Sequence, residues 1–511
     1  MPDILSTEDR ALIAPYVTNL DDGVFALRNL PEEVIAVLFA YYSRSRDDLR
    51  TNLLKLLREG DLELAGGTAG DIPEDHLSAA RAKARQFHEK WVVGYGHGSV
   101  AEHACVHLAL EGVSIIASKL IEDARLASYT EKSTRYVAFD PNRVYTPPEI
   151  ATDSNLSGLY SATITDLLGA YTGWTEDIVA KVKSRVTKTE KQTDRGYDTA
   201  CRATTFDILR YLLPAAVRTN IGLTVNARSL QTLITKLLSQ PLTEGRDLGQ
   251  RIKVEAQHIV PTLLKYADHN PYRDETLAAM ENLVNEIPEL SGKGSSGAQS
   301  GVHLTSSEPD IEDRLVTALL YGQTTRAFED ILCAVRKMEP TRKEQIVDEY
   351  LRRRGKHDGT GRELERIFCT VEMVMDYGAY RDVQRHRMAT QTLQPLTPSL
   401  GYEIPADLIA FGYEDQFTKL MDRAVAAYDG IAAAGLEKEA AYALPLATRV
   451  RVLFTWNLRE VFHFVELRSA RQGHPSYRRI AQQTYHAVAE AYPLLARYMR
   501  PNLNSYELTR E

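Results

Sequence analysis

The feature that most constrains this chain is a phrase that occurs twice. Leu213-Pro214 is followed, twelve residues after the proline, by Asn226-Ala227-Arg228, and Leu444-Pro445 is followed at the same distance by Asn457-Leu458-Arg459. A Leu-Pro step and an Asn-x-Arg held at one spacing mark an internal repeat, so the fold must be one that a chain can build twice. Between the copies, residues 290–310 (LSGKGSSGAQSGVHLTSSEPD) are rich in Gly and Ser and lose all periodicity, which reads as a linker. The expected organisation is a domain over residues 1–289, a linker over 290–310 and a related domain over 311–511.

Both parts open on apolar residues at helical spacing, at 31–49 and 311–331, each read as one amphipathic helix. In residues 104–110, Val106, Leu108 and Leu110 alternate with Cys105 and His107, the period of a half-buried strand; residues 367–375 take the corresponding place with a more continuous apolar run. Residues 206–213, 229–239, 424–434 and 478–491 pattern as helices. The class is α+β, helix-rich, in two related domains.

Composition narrows the function. The 511 residues are 44% hydrophobic and 25% charged, enough for sizeable cores. Lys plus Arg number 61 against 69 Asp plus Glu, a formal net charge of −8, which argues against a protein that coats nucleic acid or an anionic membrane. Any anion site must therefore be built locally. Cys105, Cys201, Cys333 and Cys369 form no CxxC pair, so neither a zinc ribbon nor a disulfide framework is expected. With no leader pattern and no apolar run of bilayer length, the expected location is the cytoplasm.

Three polar clusters stand out. His97-Gly-Ser-Val-Ala-Glu-His103 packs two histidines, a serine and a carboxylate into seven residues. Ser99-x-x-Glu102 also reads as a capping box, and His103 with His107 gives only a weak metal pattern, because the HExxH order is absent. Ser133-x-Arg135-Tyr136 closes a polar run from Glu122; a hydroxyl and a guanidinium two residues apart suit one phosphate, though such runs are also ordinary solvated loops. Arg381-Asp-Val-Gln-Arg385-His386-Arg387 follows the second strand, where adjacent cations call for an anion or for solvent. Beyond Asn457 the helix presents Arg459, His463 and Arg468 among Leu458, Phe462 and Leu467, a pattern that amphipathicity alone also explains.

Taken together, these motifs resemble the flavin-dependent thymidylate synthases, whose signature runs His-x-Ser-x-x-Glu-His, a strand, Gln-x-x-Arg-His-Arg, Ser-x-Arg-Tyr, Leu-Pro, Asn-x-Arg and a late Arg. The N-terminal part keeps His97, Ser99, Glu102, His103, Glu131, Ser133, Arg135, Asn226 and Arg228, but has Leu120 for the Gln, Asp123-Ala124-Arg125 for Arg-His-Arg, and Leu237 for the late Arg. The C-terminal part keeps Arg385, His386, Arg387, Asn457, Arg459 and Arg468, with His463 where the family often has Asn. It has Asp382 for the Gln, GRELER for the first motif, and Pro395 and Thr397 for Ser-x-Arg. The losses are complementary.

The resemblance implies a helix-rich α+β fold around a small, mostly antiparallel sheet. It also implies reductive methylation of dUMP to dTMP with FAD as cofactor and NADPH and methylenetetrahydrofolate as co-substrates. By the same likeness FAD is held by His97, Glu131, Arg385, His386, Arg387, Asn457 and His463; dUMP is held by Ser133, Arg135, Arg459 and Arg468, with Arg135 and Arg468 the catalytic pair. The family is tetrameric with sites between subunits, so a tandem chain is expected as a homodimer forming a pseudo-tetramer, with no nucleic acid or membrane partner. The alternatives are a flavin or nucleotide enzyme of the same fold with another substrate, and a non-catalytic nucleotide-binding paralogue.

Overall fold

The computed structural model describes residues 5–42, 47–58, 88–89, 98–290, 300–307, 310–506 and 508. The described chain is mixed α+β, mostly helical, with two small antiparallel sheets. The strands are β1 (Cys105–Ser114), β2 (Ala127–Glu131), β3 (Arg218–Asn226), β4 (Gly301–Ser307), β5 (Phe368–Asp376), β6 (Thr390–Leu393) and β7 (Arg449–Asn457). The first sheet has the order β1-β3-β2 and the second β4-β5-β7-β6.

The chain divides into two compact units that do not follow its linear order. The first comprises Met1–Val113, Ala124–Glu131 and Asn220–Glu286; the second comprises Ser114–Asp123, Lys132–Thr219 and Ile287–Glu511. In the first, β2 runs against β3 from Ala127 opposite Val225 to Glu131 opposite Ile221. Ile221, Leu223 and Val225 point into the core while the residues between them do not, the alternation a half-buried strand requires. A separate cluster that includes Ile13, Tyr16, Val34, Leu38 and Leu53 packs the helices near the N-terminus.

In the second unit β7 lies between β5 and β6, pairing with β5 from Phe368 opposite Asn457 to Asp376 opposite Arg449. Val450, Val452, Phe454 and Trp456 are buried on one face, and the Trp456 ring lies 4.9 Å from Phe464 and 5.3 Å from Phe454. Burying each such side chain is worth about 1.5–3 kcal/mol, so this strand anchors the Leu458–Arg468 helix that continues from it.

The repeated Leu-Pro phrase has a physical meaning within the second unit. Ala215 N donates to Leu444 O at 2.8 Å and Leu446 N donates to Leu213 O at 2.9 Å; Ala216 N reaches Tyr442 O and Ala447 N reaches Tyr211 O, both at 3.1 Å. Each bond is the counterpart of another, so the two segments meet isologously, with Pro214 and Pro445 bridged. Proline has no N–H, so its neighbours supply the donors.

Three expectations change. Residues 301–307, inside the stretch read as linker, form β4 against β5, because a strand paired through its backbone needs no apolar period. Residues 311–331 hold two helices, Ile311–Tyr321 and the start of Phe328–Arg336, rather than one. Residues 206–213 begin as the end of the Asp194–Leu209 helix and tighten into a 3-10 turn at Arg210–Leu212. The strands expected at 104–110 and 367–375 are present as β1 and β5, and the helices expected around 229, 424 and 478 are Ala227–Leu238, Glu414–Ala432 and Pro475–Ala491.

Candidate functional site

The site is built where β5 ends. Asp376 caps the Tyr377–Val383 helix, its side chain accepting from Ala379 N at 2.7 Å. The helix is entered at Gly378, where a Cβ would stand 3.0 Å from Asp376 Oδ1 and 3.3 Å from Arg210 Nε and Nη2. Glycine thus lets the Arg210 guanidinium, 1% exposed, lie against the helix start. Its Nη1 donates to Asp382 Oδ2 at 3.3 Å, while Nε and Nη2 are buried without a hydrogen-bond partner. The short helix therefore aims Asp382, and then Arg385-His386-Arg387, past a buried cation.

Asp382 is the electrostatic centre. Burial pushes its carboxyl up, but Arg210, Arg385, Arg135 and Arg468 together outweigh that and hold it at about 2. Arg135 grips Asp207 with two bonds, Nε to Oδ1 at 2.8 Å and Nη2 to Oδ2 at 3.0 Å, and donates from Nη1 to the Tyr477 hydroxyl at 2.8 Å. The guanidinium carbons of Arg135 and Arg468 lie 5.6 Å and 5.5 Å from the same Tyr477 ring centroid. So Arg135 and Arg468, from opposite ends of the sequence, come to one tyrosine, and both act on one aspartate. Four guanidiniums, of Arg135, Arg210, Arg385 and Arg468, face three carboxylates, Asp207, Asp376 and Asp382, so cationic groups outnumber acidic ones among these residues.

Burial disfavours a charge on two histidines, His386 and His474. His386 is 4% exposed and burial pushes its pKa down to about 4, against the pull of Glu460 in the other direction. Its Nδ1 is 2.7 Å from Glu460 Oε1 and its Nε2 accepts from Arg468 Nε at 2.9 Å. Both ring nitrogens are thus engaged by protein groups. His474 is fully buried, its Nδ1 accepting from Ser476 N at 3.2 Å and its Nε2 3.1 Å from Asp207 O, with its pKa pushed well below 6.5, first by burial.

The other expected residues divide. Ser133 sits beside the cluster, its Oγ accepting from Arg135 N at 3.1 Å. Arg385 is exposed, 4.0 Å from Asp382; Arg387 is half-buried; His463 is exposed, its ring 5.4 Å from His386. Asn457 caps the Leu458–Arg468 helix, accepting from Glu460 N at 2.9 Å, as Asn226 caps Ala227–Leu238 by accepting from Ser229 N at 2.8 Å. Arg459 is tied to Thr360 O at 3.0 Å and Glu365 at 2.5 Å, away from the cluster's bonds. Glu131 ends β2 in the first unit. His97 lies outside the described residues. Ser99 and Glu102 fall in a 3-10 turn, Gly98–Glu102, and Glu102 binds Arg228 at 2.5 Å; His103 stacks on Phe39 and His107 meets Thr224 Oγ1 at 2.9 Å.

Sequence reasoning did not single out Asp207, Arg210, Glu460 or Tyr477. Arg210 left a trace, a lone cation four residues before Pro214 inside an apolar run whose counterpart, Ala441, is uncharged. Asp207 and Tyr477 left none, because their partners are 72 and 342 residues distant in the chain. Among the described residues no helix is long and apolar enough to cross a membrane.

The chain is 33% identical over 509 residues to a UPF0159 protein of Chlamydia muridarum, spanning 97% of this chain and 95% of that one. A UPF0159 protein of Thermoplasma acidophilum is 27% identical over 450 residues, 81% of this chain and 88% of its own. A flavin-dependent thymidylate synthase of Clostridium tetani is 29% identical over 177 residues, 34% of this chain and 68% of its own. The family described as thymidylate synthase complementing protein matches residues 58–262 and again 304–494, more than half of the sequence, and the chain belongs to that family.

Proposed function

We propose that this chain is a flavin-dependent nucleotide enzyme that methylates C5 of deoxyuridylate, taking carbon from methylenetetrahydrofolate and reducing equivalents from NADPH. The observation that carries the reading is the convergence of Arg135 and Arg468 on Tyr477 and Asp382, with Arg210 buried behind. An excess of guanidinium over carboxylate suits a phosphate monoester, which carries nearly two negative charges near neutral pH. In this reading Ser133 and Arg135 bind the phosphate. Arg468 steadies negative charge that develops on the pyrimidine, and its fixed place means it need not reorganise during reaction.

The donor set fits FAD, because exposed Arg385 and His463 and half-buried Arg387 offer cationic and aromatic groups suited to a pyrophosphate and a planar ring. FAD, when bound, supplies the hydride. Arg385 and Arg387 would hold its anionic part and His463 would pack against it, while Asn457 and His386 shape the wall behind. A homodimer is part of the proposal, and light scattering on the full chain tests it. The function itself is tested by growth of a thymidine-requiring strain carrying this chain: growth without thymidine supports it, and failure despite a soluble, yellow protein counts against it.

A second reading rests on Asp382. A carboxylate offers only acceptors where the family has a glutamine, which favours a flavin enzyme of the same fold acting on a different nucleotide. Calorimetry with a panel of pyrimidine and purine monophosphates separates the two.

A further inference from the structure

His386 is the buried member of a cationic triplet, and its two nitrogens are used differently. An arginine Nε always carries hydrogen, so His386 Nε2, 2.9 Å from Arg468 Nε, must accept and therefore bears no proton. The proton of the neutral ring is then on Nδ1, where it is donated to Glu460 Oε1 at 2.7 Å. The edge of the ring meets Phe464, centroids 5.0 Å apart at 87°, which opposes rotation.

Glu460 and Arg468 lie near opposite ends of the Leu458–Arg468 helix. Eight residues of helix rise about 12 Å, too far for the carboxylate to hold the guanidinium directly. The imidazole spans the gap. Because Nε of Arg468 is consumed by this bond, its two η nitrogens are left for the side where Asp382 and Tyr477 lie.

We propose that Glu460 and His386 are positioning residues that fix the Arg468 guanidinium for its ligand. The positions that correspond in the N-terminal part are Ser229, Ala124 and Leu237, so all three members of the relay are absent there together. A set that is present or absent as a unit behaves as one device. The proposal deepens the preceding reading and rests on it for the identity of the ligand.

The test is a double-mutant cycle on the full chain, with deoxyuridylate binding followed by calorimetry. Glu460→Ala is expected to weaken binding about 10-fold, and Glu460→Gln, which still accepts from Nδ1–H, is expected to restore most of it. In Arg468→Ala protein, adding Glu460→Ala is expected to cost nothing further. Equal losses in both backgrounds would overturn the relay, since Glu460 would then act without Arg468. Nitrogen-15 spectra of histidine-labelled chain, with His386 assigned by its loss in His386→Asn, provide a readout that does not depend on nucleotide binding. A proton on Nδ1 supports the relay, and a proton on Nε2 overturns it. If Arg468→Ala leaves nucleotide binding intact, the functional reading fails, while the spectrum still decides the relay.

Discussion

The modules β3 with Ala227–Leu238 and β7 with Leu458–Arg468 are two uses of one design. Each strand alternates buried and half-exposed residues, ends in an Asn that caps the helix, and is followed two residues later by an Arg paired with a Glu, Arg228 with Glu102 and Arg459 with Glu365. The modules then part. Where one has Ser229 and Leu237 the other has Glu460 and Arg468, and where Leu237 is wholly buried in apolar core, Arg468 is bonded to His386. The lesson is that the residues recurring in both copies are the frame, and those found in one copy carry the polar cluster. Repetition first drew attention to Asn-x-Arg, and the structure assigns that motif to capping and to an ion pair.

Exchanging residues between the modules breaks the comparison most sharply. Leu237→Arg places an unpaired charge where Leu237 Cβ already stands 2.9 Å from the position a Gly249 Cβ would take, and should destabilise the fold by several kcal/mol in urea unfolding. Arg210→Met, which strips Asp382 of its buried partner, should cost roughly 3–5 kcal/mol in the same measurement. Arg468→Leu, the reverse exchange, should keep the fold and weaken deoxyuridylate binding about 10- to 150-fold by calorimetry.

Acid sharpens the contrast further. Folded His386 stays neutral down to about pH 4, whereas the unfolded chain takes up that proton near 6.5. The unfolded state therefore binds more protons across that window, and stability should fall as pH drops from about 6.5 toward 4. Asp382, held at about 2, adds a second loss as pH falls below about 4, because the unfolded aspartate protonates first. His386→Asn should make the upper limb shallower in urea midpoints measured against pH; His88 and His474, also pushed down by burial, keep it from vanishing. The smallest effect belongs to the shared frame, since Asn457→Ala removes one cap and should cost about 1 kcal/mol.

Much of the frame was legible in the sequence. The alternation at 104–110 and the Leu-Pro spacing come from periods that packing imposes locally, and β1 and the bridged prolines express them. The strands β3 and β7 were equally legible in Ile221, Leu223 and Val225 and in Val450, Val452, Phe454 and Trp456, but the Asn-x-Arg at their ends drew the reading away. β4 was not legible, because its pairing with β5 runs through the backbone. In the cluster, Ser133, Arg135, Arg385 and Arg468 were found through motifs, whereas Asp207, Arg210 and Tyr477 become partners only when distant segments meet.

The central claim is that deoxyuridylate is bound by Arg135 and Arg468, each unique to one copy, and not by the arginine of the recurring Asn-x-Arg. Calorimetric titration of deoxyuridylate into Arg135→Ala, Arg468→Ala and Arg228→Ala proteins tests it most directly. The account predicts losses of about 10- to 150-fold for the first two and wild-type binding for the third. Wild-type binding by Arg135→Ala and Arg468→Ala, or a comparable loss in Arg228→Ala, would contradict it.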